Sequence, residues 1–125
     1  MPAISTAHGN NLLDASLGTA SLIPTVPPLR CRLMSAVGST TVNGTEVTGG
    51  GYVSQPATFG LSAGLVATGI GTLTYALMPA TTVAGVELWD SATIPVRKHQ
   101  GALSAPKNVN AGDTFSLTSL SVLLY

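Results

Sequence analysis

Gly60-Leu61-Ser62-Ala63-Gly64 fits G-x-S-x-G, the pattern of a serine nucleophile held on a sharp turn, and Asp90 and His99 follow in the order of a hydrolase triad. In that chemistry Ser62 would attack an acyl carbon, His99 would take its proton and Asp90 would orient the imidazole. Such a serine needs a turn that joins a strand to a helix at the top of a parallel sheet. The run that follows, Leu65-Val66-Ala67-Thr68-Gly69-Ile70-Gly71, is too rich in glycine and β-branched residues for that helix. With 14 glycines in 125 residues the pattern arises easily by chance. A small esterase acting on the cell envelope is therefore a remote reading.

Glycoside chemistry needs two carboxylates facing one sugar. Asp14, Glu46, Glu87, Asp90 and Asp113 are the five available, and only Glu87 and Asp90 lie near each other in sequence. Three residues along a strand put them on opposite faces. For a metal, His8, His99 and Cys31 offer no H-x-x-x-H or C-x-x-C spacing that sets two ligands side by side. No catalytic, cofactor or metal residue is expected, and no cofactor. Asn43-Gly44-Thr45 has the form of a glycosylation sequon but reads as a turn.

The composition points to assembly instead. The chain is 45% hydrophobic but only 8% charged, against roughly a quarter charged in a typical soluble domain. Its surface must be covered mainly by Ser, Thr, Asn and Gly, which desolvate cheaply against a neighbouring subunit. Zero net charge with only five Lys and Arg gives no field for phosphates, so nucleic acid is not an expected partner. The start, Met-Pro-Ala-Ile-Ser-Thr-Ala-His, lacks the basic region of a signal peptide, and no stretch approaches the roughly 18 apolar residues of a membrane span. Synthesis in a host cytoplasm and no membrane partner are the expectations. One cysteine, Cys31, excludes an intrachain disulfide and reads as a small buried hydrophobe.

These residues would be positioned by an all-β domain, a β-sandwich or jelly roll, with one short helix. Residues 10–17, with Leu13 and Leu17 four apart and Gly18 next, predict the helix. Ile23-Pro24-Thr25-Val26-Pro27-Pro28 predicts an extended arm, so that residues 1–28 form a helix and Pro-rich arm and residues 29–125 the sandwich. From Leu29, alternation puts Leu29, Cys31 and Leu33 on a core face and Arg30, Arg32 and Met34 on the other. Further strands are predicted at residues 52–55, 59–66, 73–78, 83–89, 93–97 and 115–124, the last with a bulge near Ser119 where its inward parity changes. Turns are expected at Asn43-Gly44, Gly49-Gly50-Gly51 and 109–113. Arg97-Lys98-His99 reads as a solvated edge or a contact with an acidic partner, and Trp89 as a core residue or an interface anchor.

Residues 44–53 and 78–90, then 101–107 and 109–115, together with Asn10-Asn11-Leu12-Leu13-Asp14 and its Gly18, resemble small virion proteins of phages infecting actinobacteria, labelled tail fibre or head decoration. The departure is Arg97-Lys98-His99-Gln100, where relatives place an apolar strand end. The resemblance implies a β-sandwich virion subunit without catalytic residues. The leading expectation is a capsid decoration (cement) protein on the major capsid protein lattice, self-associating as a homo-oligomer, for which a trimer would suit. The alternative is a tail-tip or tail-fibre subunit touching host sugars through Tyr52 or Trp89. Pro24, Pro27, Pro28, Thr45, Glu46, Tyr52, Trp89 and Arg97 are the expected partner-interface residues.

Overall fold

A computed structural model describes residues 3–118 and 120–123. In chain order its elements are β1 (Ala3–Ile4), α1 (Thr6–Ser16), β2 (Leu29–Ala36), β3 (Thr45–Glu46), β4 (Gln55–Ala57), β5 (Val66–Thr68), β6 (Leu73–Tyr75), β7 (Thr81–Trp89), β8 (Arg97–Val109), β9 (Phe115–Leu117) and β10 (Ser121–Leu123). The chain is all-β with one short helix, and every strand pair is antiparallel.

The centre is a sheet in the order β1-β8-β7-β2-β3, with β4 also on β2; β10-β5 and β6-β9 form two separate ribbons. Apolar residues of β2 and β7, namely Cys31, Leu33, Val86 and Leu88, form one face and share a core with Tyr75, Met78 and Val47. Phe59, Leu73, Phe115, Leu117, Leu120 and Val122, from the ribbons and the segments beside them, pack against that core. Alternation at period two is the reason β2 and β7 lie where the sequence puts them.

Several elements differ from expectation. The helix starts at Thr6, because β1 pairs Ile4 with His99 and holds Ser5 by an N–H bond to Lys98 O at 2.9 Å. It stops as predicted, with Gly18 at φ 72° and N–H bonds closing back onto Ala15 O and Asp14 O. No residue of α1 is fully buried, although His8 and Gly9 are half-buried. The strand predicted at 59–66 contains a tight turn: Gly64 (φ 59°) and Leu65 (φ 64°) both take left-handed backbone, and Ala63 and Val66 exchange N–H···O bonds across it. Leucine hides such a turn, since only glycine advertises positive φ. The strand predicted at 52–55 is displaced to β4.

Residues 91–96 form a loop rather than a strand, and the strand begins where that prediction ended. β8 escaped notice because Gly101 and Pro106 interrupt its pattern. Its register jumps from Gly85↔Ala102 to Val83↔Lys107, so the surplus residues bulge out of the ladder. Pro106 is tolerated there because β1 pairs with His99 and Gln100, and among the described residues no strand lies on that edge beside Pro106. The segment predicted as one bulged strand at 115–124 is two strands with different partners, β9 on β6 and β10 on β5. Ser119 and Leu124 lie outside the described residues.

The second face of the central sheet is also covered. Met34, expected to face outward, is 2% exposed. Residues 37–44 fold back over this face, so Asn43-Gly44 belongs to a strap rather than to a two-residue hairpin turn. The strap is closed at its neck by two glycines: a Cβ on Gly44 would collide with Ala36 O and stand 2.8 Å from Gly38 N. Both obstacles are backbone, so neither can swing away. Gly44→Ala is expected to lose about 2 kcal/mol or more, measured as the shift in urea midpoint; an unchanged midpoint would show that the strap is free to move.

Candidate functional site

Antiparallel register sets Glu87 opposite Arg32 and Trp89 opposite Arg30 and Arg97, all on the face away from the core. A bulge between Leu88 and Trp89 in the β7–β8 ladder turns Arg97 toward Glu87. Arg97 Nη1 lies 3.1 Å from Glu87 Oε2 and also donates to Val42 O at 3.0 Å. Glu87 Oε2 accepts the Gly44 N–H at 2.7 Å, and Oε1 accepts the Trp89 indole N–H at 3.0 Å. Glu87 is 1% exposed and Arg97 6%, and burial at this depth requires such complete pairing.

The network continues outward. The Arg32 guanidinium lies over the Trp89 ring, 4.2 Å from its centroid, and its Nη1 is 3.8 Å from Glu46 Oε1. Tyr52 Oη donates to Glu46 Oε2 at 2.8 Å and accepts the Leu33 N–H at 3.0 Å. Burial, with Glu46 adding to it, pushes the Tyr52 phenol well above its ordinary value.

Beside Trp89 opens a cleft of about 510 Å³, walled by Thr6 and Asn10 of α1, Thr40 and Asn43 of the strap, and Val96 before β8. The walls are tied together. Thr6 N–H donates to Thr40 O at 2.8 Å, and the Ser5 hydroxyl donates to Arg97 O at 2.9 Å. Behind α1 lies a second cleft of about 260 Å³, with Pro24, His8, Asp90 and Lys98 among its walls.

His8 of α1 meets His99 of β8 edge to face, with centroids 5.6 Å apart, and neither Nδ1 has a hydrogen-bond partner among the described residues. Burial, then His8 and Lys98, lower His99 to about 4, and His8 is lowered by burial and by Lys98. A histidine with a depressed folded value binds fewer protons folded than unfolded, so stability is full above about pH 6.5 and falls as pH drops toward 4. Allowing for the partial exposure of His99, about 2 kcal/mol is expected to disappear across that window, and His99→Phe should flatten the profile. Urea midpoints from pH 7.5 to 4.5 check this, and equal slopes in the two proteins would refute it. Asp90 acts in the same direction at lower pH. Burial works against its charge, but N–H groups of Val96 (2.8 Å) and Ala92 (3.4 Å) prevail and hold it below its ordinary value.

The structure brings Glu46, Tyr52, Trp89 and Arg97 into one network, while Thr45 is exposed beside it and Pro24, Pro27 and Pro28 lie on an exposed arm. Arg97-Lys98-His99 is not a solvated edge: Arg97 and Lys98 are buried and His99 is half-buried. Glu87, Arg32 and the strap were missed as participants. Glu87-x-Trp89 on one strand face was a legible signal, but the strap over it was not. Ser62 stands exposed on the hairpin whose turn is Gly64-Leu65, with no described hydrogen bond to Asp90 or His99. G-x-S-x-G is here a β-hairpin, not a strand–turn–helix elbow. Among the described residues no three His, Cys, Asp or Glu side chains gather as metal ligands.

No curated protein matches the chain. Residues 3–124 match the family described as Podophage GP4 fiber I protein gp80. A match over nearly the whole chain is one of sequence as well as of length, and on it the chain belongs to the podophage GP4 fiber I protein gp80 family.

Proposed function

We propose that the protein is a structural subunit of a phage tail fibre, built to bind other virion proteins or further copies of itself. The family match over residues 3–124 carries this reading, and the surface supports it. Isolated helices shorter than about 12–15 residues are marginal in water, yet α1 has 11 residues and fully buries none of them. Leu13, Leu17, Leu22 and Ile23 are all exposed along the helix and the arm after it, an apolar strip suited to cover by a neighbouring subunit. Low charge makes that cover inexpensive in desolvation.

Cement on the capsid lattice, the leading expectation from sequence, gives way to the fibre reading because the family description names a fibre. Quantitative mass spectrometry of purified virions tests the choice. In a fibre the chain should number below about a tenth of the major capsid protein, whereas a ratio near one would return it to the head. Absence from particles would end both readings.

A further inference from the structure

We infer that the cleft behind α1 binds a carboxylate carried on a short aliphatic body. The bulge in the β7–β8 ladder places a lysine there. Leu88 pairs with His99 and Trp89 with Arg97, so Lys98 is the surplus residue, without a partner across the ladder, and a bulge of this kind re-aims the side chain it carries. Lys98 is 4% exposed and lines the cleft of about 260 Å³. Among the described residues its ammonium makes no hydrogen bond and no ion pair. An ammonium has only donors to offer, and burying one without an acceptor is costly. His8 lines the same cleft, and its buried Nδ1 has no partner among the described residues either.

The other walls select what can meet these donors. Ile23, Pro24 and Val26 of the arm and Val96 before β8 make the cleft mostly apolar, and Ile23, Val26 and Val96 are exposed. A hydrated inorganic anion would leave that surface uncovered, and a neutral alcohol would leave the ammonium charge uncompensated. A carboxylate on an aliphatic chain answers both: it accepts a charge-assisted bond from Lys98 while its chain covers the apolar side. Neutral His8 can carry its proton on Nδ1 and donate to the second carboxylate oxygen. Asp90, the carboxylate among the walls, accepts the N–H groups of Val96 and Ala92 and forms no ion pair with Lys98. The cleft is a little smaller than the roughly 300–1,000 Å³ of sites for drug-sized ligands, which suits a chain of about four to six carbons. Its walls are already fixed. Asn11 fastens the arm to α1, accepting the Ile23 N–H at 2.9 Å and donating to Ser21 O at 3.2 Å, and Ser91 N–H donates to Val26 O at 2.9 Å. Little ordering therefore remains to be done on binding.

Hexanoate, added to the isotope-labelled full chain up to about 50 mM, is expected to shift the amide resonances of Asn11, Ile23 and Lys98 saturably, at a Kd of about 1 mM. Hexanol and hexylamine at the same concentration should give no saturable shift there. Lys98→Met keeps the aliphatic stem, removes the charge and should weaken hexanoate at least about tenfold with the circular dichroism spectrum unchanged. Ile23→Ser, at a position 62% exposed, leaves Lys98 in place and should weaken it about threefold through lost apolar cover; this variant keeps the test decisive should Lys98→Met not fold. No saturable shift with hexanoate, hexanol binding as well as hexanoate, or hexanoate binding untouched by both substitutions would overturn the inference. It stands apart from the fibre reading, because carboxylate binding by the isolated chain does not depend on where in the particle the chain sits.

Discussion

Glu87→Ala is expected to destabilise the fold by about 3–5 kcal/mol, the range for a buried ion pair that loses one partner. The substitution strands the Arg97 guanidinium, whose side chain is 5% exposed. It also removes the acceptors of the Gly44 N–H and the Trp89 indole N–H, so the strap and the tryptophan lose their anchor together. Urea unfolding followed by far-ultraviolet circular dichroism measures the loss. A double variant, Glu87→Leu with Arg97→Met, should recover the part of the loss that comes from the stranded charge but not the part from the Gly44 and Trp89 N–H groups, which still lack their acceptor. Glu87→Gln, which keeps the shape and one acceptor, should fold and lose less than the alanine variant. A Glu87→Ala protein within about 1 kcal/mol of the parent would mean that water reaches Arg97.

Tyr75→Ala should cost a comparable amount, about 3–5 kcal/mol, for a different reason. Tyr75 is buried where the β6–β9 ribbon meets the central sheet. It stacks on Tyr52 with centroids 6.0 Å apart, tilts against Phe115 at 6.3 Å and donates its hydroxyl to Cys31 O at 2.9 Å. Alanine would leave a cavity joining ribbon and sheet. Tyr75→Phe removes only the hydrogen bond and should cost about 1 kcal/mol, a fall of about 3–6 °C in Tm. Calorimetry of the two variants separates packing from hydrogen bonding; similar losses in both would show that the hydroxyl, not the ring, anchors the ribbon.

The two positions differ in how far sequence could have found them. Tyr75 sits in a stretch expected as strand, and its burial follows from an aromatic residue in an apolar alternation. Glu87 lies in an equally well-marked strand, yet nothing in the pattern says that a carboxylate there is buried. Its burial depends on a strap from before β3 and on an arginine ten residues later, brought back by the antiparallel pairing of β7 with β8. The basic run beginning at Arg97 was misread for the same cause. Read linearly, three basic residues in four look solvated, and only the register shows two of them turned inward.

Local sequence carried the all-β class, the short helix with its glycine stop, and the core face of β2 at Cys31 and Leu33. Each follows from local periodicity, turn chemistry or composition, which need no partner to act. Tertiary structure alone decided that β9 and β10 join different ribbons, that the G-x-S-x-G run is a hairpin, that a strap buries the polar face, and that Trp89 stands at the wall of a cleft. Those outcomes rest on contacts between residues far apart in the chain, where the free energy of pairing and burial depends on what arrives opposite a side chain rather than on its neighbours in sequence.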